Sequence, residues 1–156
     1  MSDEKPDDSG QRPVIEFYST RDAYGAFSNF APYPIELDGL RWPTAKHYFQ
    51  AQKFAGTAHT EAIRQTPSPM VAARMGRSRA RPLRPDWDLV KDEIMLRAVR
   101  AKFAQHAQLA ALLLQTGDVL IVERSRRDRY WGDGADGSGA NKLGQILMQV
   151  RAELRA

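Results

Sequence analysis

Residues 42–54, Trp-Pro-Thr-Ala-Lys-His-Tyr-Phe-Gln-Ala-Gln-Lys-Phe, constrain this chain more than any other stretch. Trp42-Pro43 reads as a turn, and Thr44 reads as the N-cap of a helix running through Phe54, with Gly56 closing it. Lys46, Gln50 and Lys53 then fall at i, i+4 and i+7, a single stripe of that helix. Two ammoniums and an amide on one face, entered by a Trp-Pro turn, are unusual for a purely structural element.

The rest of the chain bounds the class. A length of 156 residues predicts one domain able to bury a real core. No run of 18 apolar residues is present, which argues against a membrane span. The acidic, polar N-terminus lacks the pattern of a secretory signal. With no cysteine there is neither a disulfide framework nor thiolate chemistry, in keeping with a cytoplasmic protein. Residues 1–13 hold four acids against two bases, a net of −2, so the body carries +6 of the formal +4 total. That tail reads as disordered, and the basic body favours phosphates, nucleotides or nucleic acid as partners.

The pattern of elements predicts an α+β protein, mainly α-helical, with a few short strands in a single compact domain over 14–156. Val14 to Ser19 and Val119 to Glu123 read as strands, and Pro34 to Trp42 as a hairpin turning at Asp38-Gly39. Ser68-Pro69 opens a short helix ended by Gly76. Asp86 caps a long helix with Trp87, Val90, Ile94, Ala98 and Ala101 on one stripe. A helix around Leu109 to Leu114 ends at Gly117, and Asn141 caps the last helix after a glycine-rich loop.

Several motifs fail on closer reading. Gly132 to Gly137 matches GxGxxG, but the preceding strand ends too early and no second βα unit follows. His47, His59 and His106 show no metal-ligand spacing, so neither a metal nor another cofactor is expected. The arginine run through Arg74, Arg77, Arg79, Arg81 and Arg84 is either a solvated face or a phosphate clamp. Trp42, Trp87 and Trp131 each neighbour a turn, where a ring can be core or a platform for a planar heterocycle.

Taken in order, these blocks resemble the NADAR (YbiA-like) family. The resemblance rests on Phe27-Ser28-Asn29-Phe30, Trp42-Pro43-Thr44, His47 through Phe54, Ala73 to Arg77, and Arg84-Pro85-Asp86-Trp87. It continues through Lys102-Phe103, Asp128 to Gly132, and Gly139 to Gly144 with Leu147-Met148, collinear from about Ile15 to Arg155. The resemblance implies an N-glycosidase acting on ribosylaminopyrimidine phosphates of riboflavin synthesis or on ADP-ribosylated guanine in nucleosides or DNA. The partner implied is therefore a phosphorylated ribosyl heterocycle or an ADP-ribosyl nucleoside, with nucleic acid as a further possible substrate. Cleavage builds positive charge on the sugar, so a carboxylate and an acid for the leaving nitrogen are needed.

Carried over by residue, the resemblance places Asp128 and Lys53 with Lys46 among catalytic positions. It places Asn29, Phe30, Trp42, His47, Gln50, Trp87, Trp131, Gly132 and Asn141 along the substrate, with Arg77 on phosphate. Where the family has glutamate before His-Tyr-Phe-Gln, this chain has Lys46. Three readings follow: a nucleotide-binding relic without turnover, an acid role on Asp128 or Glu123 with Lys46 on phosphate, or attack by a lysine amine on the anomeric carbon.

Overall fold

The computed structural model describes residues 13–156. The tail expected over 1–13 lies, Pro13 aside, outside the described residues. Strand β1 (Val14–Phe17) leads to β2 (Ile35–Leu37) and β3 (Leu40–Trp42), then to five helices: α1 (Ala45–Gln52), α2 (Ala58–Arg64), α3 (Pro69–Arg77), α4 (Trp87–Gln105) and α5 (Ala107–Gln115). Strand β4 (Leu120–Glu123) and α6 (Lys142–Arg155) complete the chain. The α+β, mainly helical expectation holds.

Local chemistry explains much of this order. Asp38 and Gly39 both take positive φ (56° and 77°), the two-residue turn whose twist suits a hairpin, and Ile35 pairs with Trp42 across it. The Thr44 side chain accepts from the His47 amide and Ser68 from the Val71 amide, with Pro69 opening α3. Four sequence expectations need correction. Helix α1 stops at Gln52, with Lys53 at its C-cap. Helix α2 was not foreseen; Thr57 caps it by accepting from the His59 amide. Gly76 is not the stop of α3, which runs on to Arg77; glycine is needed there because a Cβ would stand 1.9 Å from the Gln50 Oε1 of α1. Asp86 and Asn141 occupy N-cap positions without capping: Asp86 pairs with Arg84, and Asn141 adopts φ 52°.

Helix α4 is the spine. It packs on α1, α5, α6 and β2, while α1 packs on α2 and α3. Phe17 of β1 meets Phe27 of a short 3-10 turn edge to face at 6.0 Å, and Phe27 meets Phe103 of α4 at 5.9 Å with the rings tilted by 56°, bringing the N-terminal strand onto the helical body. Lys102 of α4 is 1% exposed and donates to the carbonyls of Ala26 (2.5 Å) and Ser28 (2.9 Å), fixing the turn ahead of Asn29 and Phe30. Burial pulls its ammonium down to a pKa of about 7.

Strands β1 and β4 pair in parallel, with Phe17 opposite Glu123. Both strands therefore release the chain at the same edge, the edge of a parallel sheet where ligands commonly bind. Among the described residues no helix is long and apolar enough to cross a membrane.

Candidate active site

Helix α1 presents its cationic stripe to a wall of rings drawn from four parts of the chain. Lys46 Nζ lies 5.0 Å from the Phe30 ring centre and 6.0 Å from that of Phe49. Lys53 Nζ lies 5.9 Å from Phe49 and 5.7 Å from Trp87. Phe49 in turn meets Trp87 at 5.1 Å and Trp131 edge-on at 5.3 Å. Gln50 is buried against Gly76, its Oε1 without a hydrogen-bond partner.

Cations gather at the α3 end of this wall. Arg79 Nη1 donates to the Gly76 carbonyl at 2.8 Å, and Lys53 Nζ reaches the same oxygen at 3.4 Å. Arg77 is the last residue of α3. Lys53, 8% exposed, has its pKa drawn down to about 8, first by burial and then by the fields of Arg79, Lys46 and Arg77. None of these four cations forms a salt bridge among the described residues. Such mutual repulsion is relieved by an anion, and guanidinium forks fit phosphate.

Carboxylates gather at the strand end. Glu123 closes β4, and burial raises its pKa to about 7; Lys46 opposes the rise, while Asp128 and Asp133 add to it. Its Oε2 is buried with no partner. Lys46 is held below the ordinary lysine range by burial, against the pull of Glu123 and Asp128 and with Arg77 adding. Asp128 Oδ1 accepts from the amides of Tyr130 (3.0 Å) and Trp131 (2.8 Å), which fixes its carboxylate beside the ring wall.

The glycine-rich loop serves as scaffold. A Cβ on Gly132 would stand 2.9 Å from the carbonyl oxygens of both Asp128 and Glu123, so glycine lets the loop close on the strand. Asn141 Oδ1 accepts the Glu123 amide at 3.0 Å, and its Nδ2 donates to the Ile121 carbonyl at 2.9 Å. Its amide is thus spent on holding Glu123 in place.

The structure brings together Phe30, Lys46, Gln50, Lys53, Arg77, Trp87, Asp128 and Trp131. It places two expected residues elsewhere. Trp42 is 1% exposed, donates Nε1–H to the Leu37 carbonyl at 3.0 Å and packs on Tyr48. His47 is fully buried between the Thr44 hydroxyl (2.8 Å) and the Thr66 carbonyl (3.0 Å). Both are framework: Trp42 closes β3 against Tyr48, and His47 lies on a face of α1 that turns into the core. Asn29 lies beneath the site: its carbonyl accepts the Lys46 amide at 3.1 Å, and its side chain touches Met95 Sδ at 3.2 Å. Arg79, from the arginine run read as a solvated face or a phosphate clamp, joins the cluster, and so does Phe49, which lies beyond the residues singled out by sequence. Phe49 could have been found, since it stands three residues after Lys46 and four before Lys53. A hollow of about 380 Å³ at Arg41, Pro43, Arg64 and Thr66 contains no carboxylate. No group of three or more His, Asp or Glu side chains suited to a metal converges among the described residues.

Known proteins share this architecture and sequence. The chain is 56% identical to the Escherichia coli N-glycosidase YbiA over 144 residues, covering 92% of this chain and 90% of that one. It is 48% identical to the N-glycosidase Npun_R5314 of Nostoc punctiforme, covering 91% and 93%. It is 41% identical to a quarter of the maize chloroplastic riboflavin biosynthesis protein PYRR. The NMR structure of E. coli YbiA superposes with a TM-score of 0.86, covering 93% of this chain and 86% of that one. The NADAR domain model matches residues 16–155, and the chain belongs to the NADAR domain family.

Proposed function

We propose that this protein is an N-glycosidase that hydrolyses the bond between a phosphorylated ribosyl group and a heterocycle nitrogen. One observation carries the reading: Lys46, Lys53, Arg77 and Arg79 form a cluster of cations without a salt bridge among the described residues, and Lys46 links that cluster to Glu123, a carboxyl poised near pH 7, with Asp128 beside it. An anionic substrate bearing a bond that breaks with charge separation satisfies both halves. The names of the relatives support the bond type, and those from riboflavin biosynthesis favour ribosylaminopyrimidine phosphates over ADP-ribosylated guanine as substrate.

The chemistry assigns roles. Protonated Glu123 gives its proton to the leaving nitrogen as the carbon–nitrogen bond breaks and its electron pair passes to nitrogen. Positive charge develops on the sugar, where the Asp128 carboxylate stabilises it and then takes a proton from the attacking water. Products are the free heterocycle and the sugar phosphate. A pKa near the working pH is what such an acid needs, so burial of Glu123 is functional. Lys46 balances the charge of the two carboxylates, while Lys53, Arg77 and Arg79 hold phosphate.

Lys46 itself favours a second reading, a nucleotide binder without turnover, because a cation beside a developing oxocarbenium opposes it. Asp128→Asn separates the two. Mass spectrometry of products should show turnover falling by about a hundredfold or more with ligand affinity kept. Absence of free heterocycle from wild type, with ligand still bound, leaves the binder.

A further inference from the structure

The rings expected to stack on the heterocycle are largely engaged within the protein. Trp42 is core, Trp87 is covered by Phe49 and faces Lys53, and Trp131 is met by the edges of Phe49 and Tyr130. Open aromatic surface lies instead at the carboxyl ends of the parallel strands. Tyr18 directly follows β1 and is 60% exposed; Met70, in the first turn of α3, is 62% exposed. These two side chains line one cavity of about 300 Å³, together with Ser19, Thr20, Phe30 and Glu123. Exposed apolar side chains meeting at one opening mark a surface that gains by being covered.

The lining identifies what covers it. Tyr18, Phe30 and Met70 offer ring faces and a polarisable thioether to a flat molecule. The Ser19 and Thr20 hydroxyls and the Glu123 carboxyl offer acceptors for exocyclic amino groups. The volume sits at the lower end for ligand pockets, which suits one ring system. The wall is fixed in advance: the amides of Tyr18 (2.8 Å) and Ser19 (2.9 Å) both donate to Asp22 Oδ2, and Lys102 ties down the turn before Phe30. Phe30 and Glu123 are shared with the cationic cluster, Phe30 beneath Lys46 and Glu123 in the field of Lys46.

We propose that this cavity is the subsite for the leaving heterocycle, an amino-substituted pyrimidine. It rests on the N-glycosidase reading and gives the substrate a direction, phosphate toward Arg77 and Arg79, scissile bond at Glu123, and ring between Tyr18, Phe30 and Met70. The amino nitrogen that carried the ribosyl group then departs on the side from which Glu123 delivers its proton.

The test uses the two products as separate probes, diaminouracil and ribose 5-phosphate, each measured by calorimetry and as an inhibitor of turnover. Tyr18→Ala removes one stacking face and should weaken diaminouracil by about tenfold, with ribose 5-phosphate changed less than about twofold. Tyr18→Trp should retain or improve diaminouracil binding, which guards against misfolding as the cause of loss. Arg77→Ala should show the opposite split. Equal loss of both probes in Tyr18→Ala, or loss of neither, overturns the subsite. Failure of the parent reading looks different: wild type then releases no heterocycle from the glycoside. In that case calorimetric loss of diaminouracil in Tyr18→Ala still upholds the subsite, and its retention rejects it.

Discussion

Replacing Glu123 by glutamine should make the protein more stable and nearly inactive, by amounts that depend on pH in a defined way. Burial raises the Glu123 pKa from 4.5 to about 7. Each unit corresponds to about 1.4 kcal/mol, so the shift costs the native state about 3 kcal/mol when the carboxyl is ionised. The sign follows from proton counting. Between pH 4.5 and 7 the native state holds the proton more tightly than the unfolded chain, so stability falls as pH rises through this window. Below it both states are protonated and the cost vanishes; above it the whole cost is present. Glutamine does not titrate. The variant should therefore gain about 3 kcal/mol at pH 8 and less than about 1 kcal/mol at pH 5. At pH 8 that corresponds to a rise in Tm of about 10 °C for a chain of this size. Urea unfolding of both proteins at the two pH values measures the difference, and product release should drop by about a hundredfold or more. Equal destabilisation at both pH values would refute the reasoning, since it would mean that Glu123 makes a favourable native contact instead of being held at a cost for chemistry.

Further outcomes follow from neighbouring groups. Burial lowers the folded pKa of Lys102 from 10.5 to about 7, so wild-type stability should rise with pH between those values; Lys102→Met should flatten that slope, by up to about 1.4 kcal/mol per pH unit, in urea unfolding from pH 7 to 10. Lys46→Glu removes the cation that lowers the Glu123 pKa and adds a third carboxylate beside Asp128, so the alkaline limb of the kcat profile should move to higher pH. Gly76→Ala puts a Cβ 1.9 Å from Gln50 Oε1, and the displaced glutamine should outweigh the helix gain, for a net loss of about 1–2 kcal/mol and a raised KM for phosphorylated substrate.

What could be read from sequence was local. The Asp38-Gly39 turn and the Thr44 and Ser68 caps each depend on residues within four positions of one another, and they form where expected. Helix α2 escaped because its seven residues bury only His59 and Ile63, too short a stripe to stand out. Gly76 carries the same sequence signal as a helix stop, yet its role is set by Gln50, 26 residues earlier in the chain. Asn141 is likewise a good cap by composition, and only the strand beside it shows its amide spent on Ile121 and Glu123. Within the site, the spacing of Lys46, Gln50 and Lys53 was legible because helical periodicity fixes it. The neighbourhood of Tyr18 and Glu123 was not, since parallel pairing joins residues more than a hundred positions apart. The family resemblance pointed to Trp42 and His47, but the strand pairing that carries Trp42 and the helix face that carries His47 both turn into the core.

The most direct test of the central claim is a product assay by mass spectrometry. Purified wild type, Glu123→Gln and Lys46→Glu would each be offered a ribosylaminopyrimidine phosphate at pH 7. Free aminopyrimidine and ribose 5-phosphate in equal amounts from wild type, with almost none from Glu123→Gln, is the predicted result. Intact glycoside recovered from wild type, with heterocycle released only by Lys46→Glu, would contradict it and leave a pocket that binds without cleaving.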